Sequence, residues 1–131
     1  MKKDINIPEV HDVHIAAVKE NESGQQESGW MVYIINDLDE DLNLVIIVSQ
    51  GFSNTKKTST LRKRIDSLPK RSFAKVEILP EELFAFTNEF KVSFFINDTL
   101  YDKTFIFKPT SVSIENLSKL PLIKNEGILA R

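Results

Sequence analysis

Two runs, Trp30-Met31-Val32-Tyr33-Ile34-Ile35 and Leu44-Val45-Ile46-Ile47-Val48, are apolar at every successive position. They are too short for ordinary helices, and a continuous apolar run of about 4 to 8 residues is what a strand buried on both faces requires. Between them Asn36-Asp37-Leu38-Asp39-Glu40-Asp41 supplies residues that turn the chain. The pair therefore reads as the central strands of a β protein.

The rest of the chain follows the same period. Val13, Ile15 and Ala17 alternate with more mixed neighbours, which predicts a first strand over 10–19, followed by a polar loop over 21–29. Gly51 to Asn54 reads as a turn. From 56 to 65 the residues are Thr, Ser and bases interrupted only by Leu61 and Ile65, as expected of a sheet-edge strand. After Leu68-Pro69, the residues Ala74, Val76 and Ile78 alternate with Lys75, Glu77 and Leu79, a half-buried strand. Pro80-Glu81-Glu82-Leu83-Phe84 predicts one short helical turn, with proline at the first helical position and two acids at the positive end of its dipole. Phe90, Val92, Phe94 and Ile96 share a face, Asn97-Asp98 turns, and Tyr101, Phe105 and Phe107 return: a hairpin. Beyond Pro109, the residues Val112, Ile114, Leu117, Leu120, Leu122, Ile123, Ile128 and Leu129 suffice for an added strand or a packed arm. Runs spaced by about 8 to 12 residues without a helical period predict an all-β, antiparallel sandwich of about seven or eight strands. Trp30 early in a central strand suits an immunoglobulin-like core, although the cysteine pair of antibody domains is missing.

At 131 residues the chain fits a single domain spanning 1–131. With 41% apolar and 27% charged residues it has enough hydrophobic surface to offset the entropy of ordering. It has no cysteine, so disulfides, thiolate metal sites and cysteine nucleophiles are excluded. The N-terminal Met1-Lys2-Lys3-Asp4-Ile5-Asn6-Ile7-Pro8 breaks up the apolar run that a signal peptide needs, and no stretch approaches the roughly 20 apolar residues of a membrane span. The expected location is the cytoplasm.

The whole chain resembles small, uncharacterised bacterial all-β proteins in three segments: the Trp-led run 30–36, Lys56-Lys57-Thr58-Ser59-Thr60, and the turn from Leu68-Pro69 through Ser72-Phe73-Ala74-Lys75. That resemblance implies a fold and no activity.

Candidate chemistry is sparse. His11 and His14 are the only histidines, and on a strand their odd spacing puts them on opposite faces, so no metal site is expected. Asp37, Asp39, Asp41 and Asn43 alternate as calcium ligands do, but Leu42 stands where such a loop needs glycine and Val48 where it needs a bidentate acid. No Gly-x-Ser-x-Gly elbow and no phosphate-binding glycine loop occur. The paired Glu81 and Glu82 have a dipole explanation. The expectation is a non-enzymatic protein without cofactors.

Charge is segregated. Residues 1–41 hold ten acids and three bases, whereas residues 56–75 hold one acid, Asp66, and eight bases: Lys56, Lys57, Arg62, Lys63, Arg64, Lys70, Arg71 and Lys75. The net charge of −2 hides this dipole. If the stretches form separate patches, the basic one steers acidic partners toward it; if they are neighbours, they neutralise each other. The leading expectation is a protein-binding or assembly module, self-association included, that uses a sheet edge and this basic strand. Weak nucleic-acid binding through 56–75 is the alternative, disfavoured by a pI of about 5.7. A small-ligand or carbohydrate site on Trp30, Tyr33 or Tyr101 would need those rings exposed. The C-terminal apolar residues would be a further contact surface if left unpacked.

Overall fold

The computed structural model describes residues 11–20 and 29–131. Its strands are β1 (Val13–Val18), β2 (Gly29–Asn36), β3 (Leu42–Phe52), β4 (Leu61–Leu68), β5 (Ser72–Pro80), β6 (Thr87–Ile96), β7 (Thr99–Phe107) and β8 (Gly127–Leu129). Single 3₁₀ turns span Glu81–Leu83 and Ile114–Asn116. The expected strand start at Val10 and most of the polar loop lie outside the described residues. Among the described residues no helix is long and apolar enough to cross a membrane.

The strands form two antiparallel four-stranded sheets, ordered β5-β2-β1-β8 and β4-β3-β6-β7. Their facing sides share one sandwich-like core in which Ile15, Val32 and Ile34 of the first sheet meet Val45, Phe90, Phe94 and Phe107 of the second. Trp30 lies in this core, edge-on to Phe84 with ring centroids 6.1 Å apart. The two apolar runs of the sequence have different fates. β2 is buried on both faces, because its outward Tyr33 and Ile35 are covered by Leu120 and Ile123 of the C-terminal segment. Among the described residues nothing comparable covers β3, where Val45 and Ile47 are buried while Ile46 and Val48 stay half-exposed on the outer face.

β3 is also longer than expected, running through Gly51 and Phe52, where the sequence suggested a turn. A bulge near its start holds Leu44 at φ 50° and turns that side chain outward, 39% exposed. The edge strand begins at Leu61 instead of 56, and residues 53–60 form the connection, pinned by a Phe52–Lys57 bridge. In β5 a second bulge sets Val32 opposite Glu77 but Tyr33 opposite Lys75. It inverts the expected alternation beyond Val76: Leu79 is buried and Ile78 exposed. Pro80 caps its 3₁₀ turn and does not open it, and Ile114–Asn116 adds a second such turn.

The crossovers β2–β3 and β4–β5 meet at one end of the sandwich, where Asn36 is fully buried. Its side-chain amide donates to the carbonyls of Glu40 (2.9 Å), Pro69 (3.1 Å) and Leu68 (3.2 Å), and its oxygen accepts from the Leu38 N–H at 3.1 Å. Arg71 N–H donates to the Leu38 carbonyl at 3.1 Å, and Lys70 N–H to Asp41 Oδ1 at 2.8 Å. One side chain thus joins both corners, and its own buried amide finds all its partners there.

At the other flank the C-terminal segment ties the sheets together. β8 pairs with β1 in the first sheet, Ala130 N–H donates to the Ile15 carbonyl, and Arg131 exchanges two backbone hydrogen bonds with Ile106 of β7 in the second. Gly127 permits this approach, since a Cβ there would lie 2.5 Å from the Ala17 carbonyl oxygen. Of the C-terminal apolar residues, Val112, Leu120, Ile123 and Ile128 therefore pack on their own sheets, while Ile114 and Leu122 stay exposed.

Replacing Asn36 by Ala removes the partner of the buried Leu68 carbonyl, of the Glu40 and Pro69 carbonyls and of the Leu38 N–H, and is expected to lower unfolding free energy by about 3 kcal/mol. Asn36→Asp sets a carboxylate against three carbonyl oxygens and is expected to cost more at pH 7. Urea titrations of both variants measure this, and a variant within 0.5 kcal/mol of wild type, roughly the effect of an ordinary surface change, would contradict it.

Candidate functional site

Among the described residues β4 pairs with β3 alone, so its other side is a free sheet edge there, with seven of its eight residues exposed or half-exposed. Side chains alternate across it. Leu61, Lys63 and Ile65 stand opposite Ser49, Ile47 and Val45, on the side facing the first sheet, whereas Arg62 and Arg64 stand opposite Val48 and Ile46 on the outer face.

The eight candidate bases separate into two groups. Arg71 Nη1 lies 2.9 Å from Asp37 Oδ1 and Lys70 Nζ 4.0 Å from Asp39 Oδ1, because the Asn36 corner sets the acidic turn against the β4–β5 turn. Lys75 Nζ lies 3.8 Å from Glu20, and Arg64 Nε 2.9 Å from Asp66. These four sites are locally compensated. Lys56 and Lys57 in the connection, with Arg62 and Lys63 on β4, are exposed, and none is paired with an acid among the described residues. The uncompensated part of the basic stretch is its first half, at the free edge.

Asp37 and Asp41, read from the sequence as calcium-like spacing, direct carboxylate oxygens at Arg71 and the Lys70 amide. Among the described residues no cluster of three or more His, Cys, Asp or Glu side chains is arranged to hold a metal ion. His14 is half-buried, and desolvation lowers its pKa below the ordinary 6.5. Trp30 and Tyr33 are buried, and Tyr101 packs on the core, stacked on Phe94 at 5.7 Å; Trp30 and Tyr33 offer no exposed platform for a sugar.

Beside β4 the two sheets diverge. Near the Asn36 corner β4 and β5 are close, but toward Leu61 and Pro80 they splay and open a cleft of about 210 Å³ between the sheets. Its walls include Leu61, Leu79, Pro80 and Phe90, and its polar groups include Ser49, Thr58 and Glu77. Ser49, 5% exposed, donates its hydroxyl to Glu77 Oε1 at 2.6 Å, linking β3 to β5 across the sandwich. Gly51 forms part of the floor: its N–H donates to Thr58 Oγ1 at 2.8 Å, and a Cβ there would meet Asn88 Oδ1 at 2.8 Å. Burial raises the Glu77 pKa above the ordinary 4.5, opposed in part by the Ser49 hydrogen bond.

Glu77 was not identifiable as an inward residue from simple alternation, which placed it with Lys75 on the solvent side. The signal was the adjacent pair Ile78-Leu79, which breaks the period of two and marks the bulge. A larger cavity of about 550 Å³ lies on the opposite flank, beside Ile106, Lys108 and Arg131. Among its polar side chains Asn116 and Ser111 already donate to the Ser111 and Lys108 carbonyls. No family model, no curated protein and no solved structure matches the chain.

A carboxyl with a raised folded pKa holds its proton more tightly folded than unfolded. Its stabilising contribution is complete below the unfolded value near 4.5 and is lost as the pH rises through the raised folded value. Glu77→Gln lacks this loss. In thermal melts from pH 4 to 8 the variant is expected to gain on wild type across that window and hold its lead above it, and a lead that shrinks with rising pH would contradict the assignment.

Proposed function

We propose that this protein is a single-domain, cytoplasmic, immunoglobulin-like binding module without enzymatic activity, and that its β4 edge takes up an extended acidic segment of a partner protein as an additional strand. The observation that carries this reading is the free, exposed β4 edge with Lys56, Lys57, Arg62 and Lys63 uncompensated beside it. An unpaired edge offers a row of backbone donors and acceptors, and an incoming segment gains affinity from that ladder and selectivity from alternate side chains.

The strand order supports the immunoglobulin-like part. Lettering β1 to β7 as A to G, the sheets read E-B-A and D-C-F-G, with β8 extending the first. This differs from the antibody constant arrangement only in the fourth strand, which sits beside C instead of E, and in the added β8.

Charge selects the partner. β4 carries three bases and one acid, so pairing two copies of this edge would bring like charges together, whereas an acidic strand is attracted. The protective role of edge lysines against promiscuous pairing is compatible with this, since repulsion of most strands and admission of acidic ones follow from the same field.

The test is capture of native partners with wild type and with a variant carrying Lys57→Glu, Arg62→Glu and Lys63→Glu, each with and without nuclease. A protein partner that survives nuclease and falls at least tenfold in the variant is expected. Loss on nuclease treatment would favour nucleic-acid binding through the same bases, and equal capture by both proteins would remove the β4 edge from consideration.

A further inference from the structure

The inter-sheet cleft adjoins the edge at which the partner strand would add, and its chemistry differs from that of the edge. The edge is basic; the cleft holds a carboxyl. At about 210 Å³ it is smaller than the roughly 300 to 1,000 Å³ of sites for whole small molecules, which suits a single side chain. A strand added at β4 presents alternate residues to the two faces of the sheet, so its outward residues pass Arg62 and Arg64 while its inward residues reach the Leu61 side and the cleft mouth.

We propose that this cleft is a socket for one lysine side chain of the incoming segment, with Glu77 as the counter-ion. The inference rests on strand addition at β4 and specifies what that strand must carry. Glu77 Oε1 is engaged by Ser49, and the carboxylate has no cationic partner among the described residues. One free oxygen matches the point charge of an ammonium better than the two-pronged guanidinium of arginine, which seeks both carboxylate oxygens. The hydroxyls of Thr58 and Ser59 lie on the same lining and supply further acceptors for the three ammonium hydrogens. Leu61, Leu79 and Pro80 provide the apolar wall along which a lysine stem packs. Pairing with a cation also offsets the desolvation that a half-buried carboxylate otherwise bears alone. The recognised segment therefore alternates acids, facing outward over Arg62, with a lysine facing inward.

The cleft can be tested separately from the edge with n-butylammonium chloride, which carries the lysine stem and head group and no backbone. Titrated into the ¹⁵N-labelled full chain at pH 8, it is expected to move the amide resonances of Ser49, Gly51, Thr58 and Glu77 saturably, with half-saturation on the order of 10 mM. Neutral n-butanol and sodium chloride at equal concentrations are expected to leave those resonances within a tenth of that shift. Glu77→Gln, which preserves an acceptor for Ser49, is expected to abolish saturation, and the triple charge-reversal variant of the edge is expected to retain it. Absence of saturable shifts, equal response to n-butanol, or an unchanged response in Glu77→Gln would each overturn the socket. None of these results bears on strand addition itself, which fails if partner capture ignores the edge charges or is lost on nuclease treatment.

Discussion

The buried amide of Asn36 fixes which strand belongs to which sheet. It joins the corner leaving β2 to the corner leaving β4, so the chain must cross between sheets at both places. With that end clamped, β4 is held against β3 and β5 against β2, and the two edges diverge from a common point. The open flank, the cleft and the acid-to-base contacts of Asp37 and Asp39 with Arg71 and Lys70 all descend from this clamp. Neither strand propensity nor hydrophobic period sets such a crossing; a short list of satisfied polar groups does.

The hairpin β6–β7 was legible down to its turn, because Phe90, Val92 and Phe94 keep strict alternation and Asn97 tolerates its φ of 53°. The central strands were legible for a reason only half correct. Continuous apolar runs signal burial on two faces, but β2 gained its second cover from residues about 90 positions later, and β3 gained none among the described residues. Bulges are what a period-two reading cannot see unless the period visibly breaks. At Ile78-Leu79 it does, whereas the outward turn of Leu44 leaves no trace in a run of five apolar residues. The basic stretch was visible as a charge count, but its division into compensated and uncompensated halves depends on which turn lies beside which, a property of the Asn36 corner.

The two flanks of the sandwich solve the exposed-edge problem in opposite ways. Between β7 and β8 the backbone of Ala130 and Arg131 stitches the sheets together. Between β4 and β5 no such stitching occurs beyond the corner among the described residues, and the flank carries exposed cations instead. The asymmetry therefore leaves the molecule one flank closed by backbone pairing and one flank bordered by exposed charge.

The position of β1 between β2 and β8 has a kinetic consequence. Its partner residues Ala17 and Ile128 are far apart in sequence, so the first sheet cannot be completed until β8 is available. During synthesis β1 and β2 can form a hairpin early, but the other margin of β1 and the outer faces of Ala16, Val18 and Ile35 stay uncovered until residues 120–129 arrive. Such late, distant closure slows folding and prolongs exposure of apolar surface. Residues 120–129 thus govern how long this apolar surface is open to association.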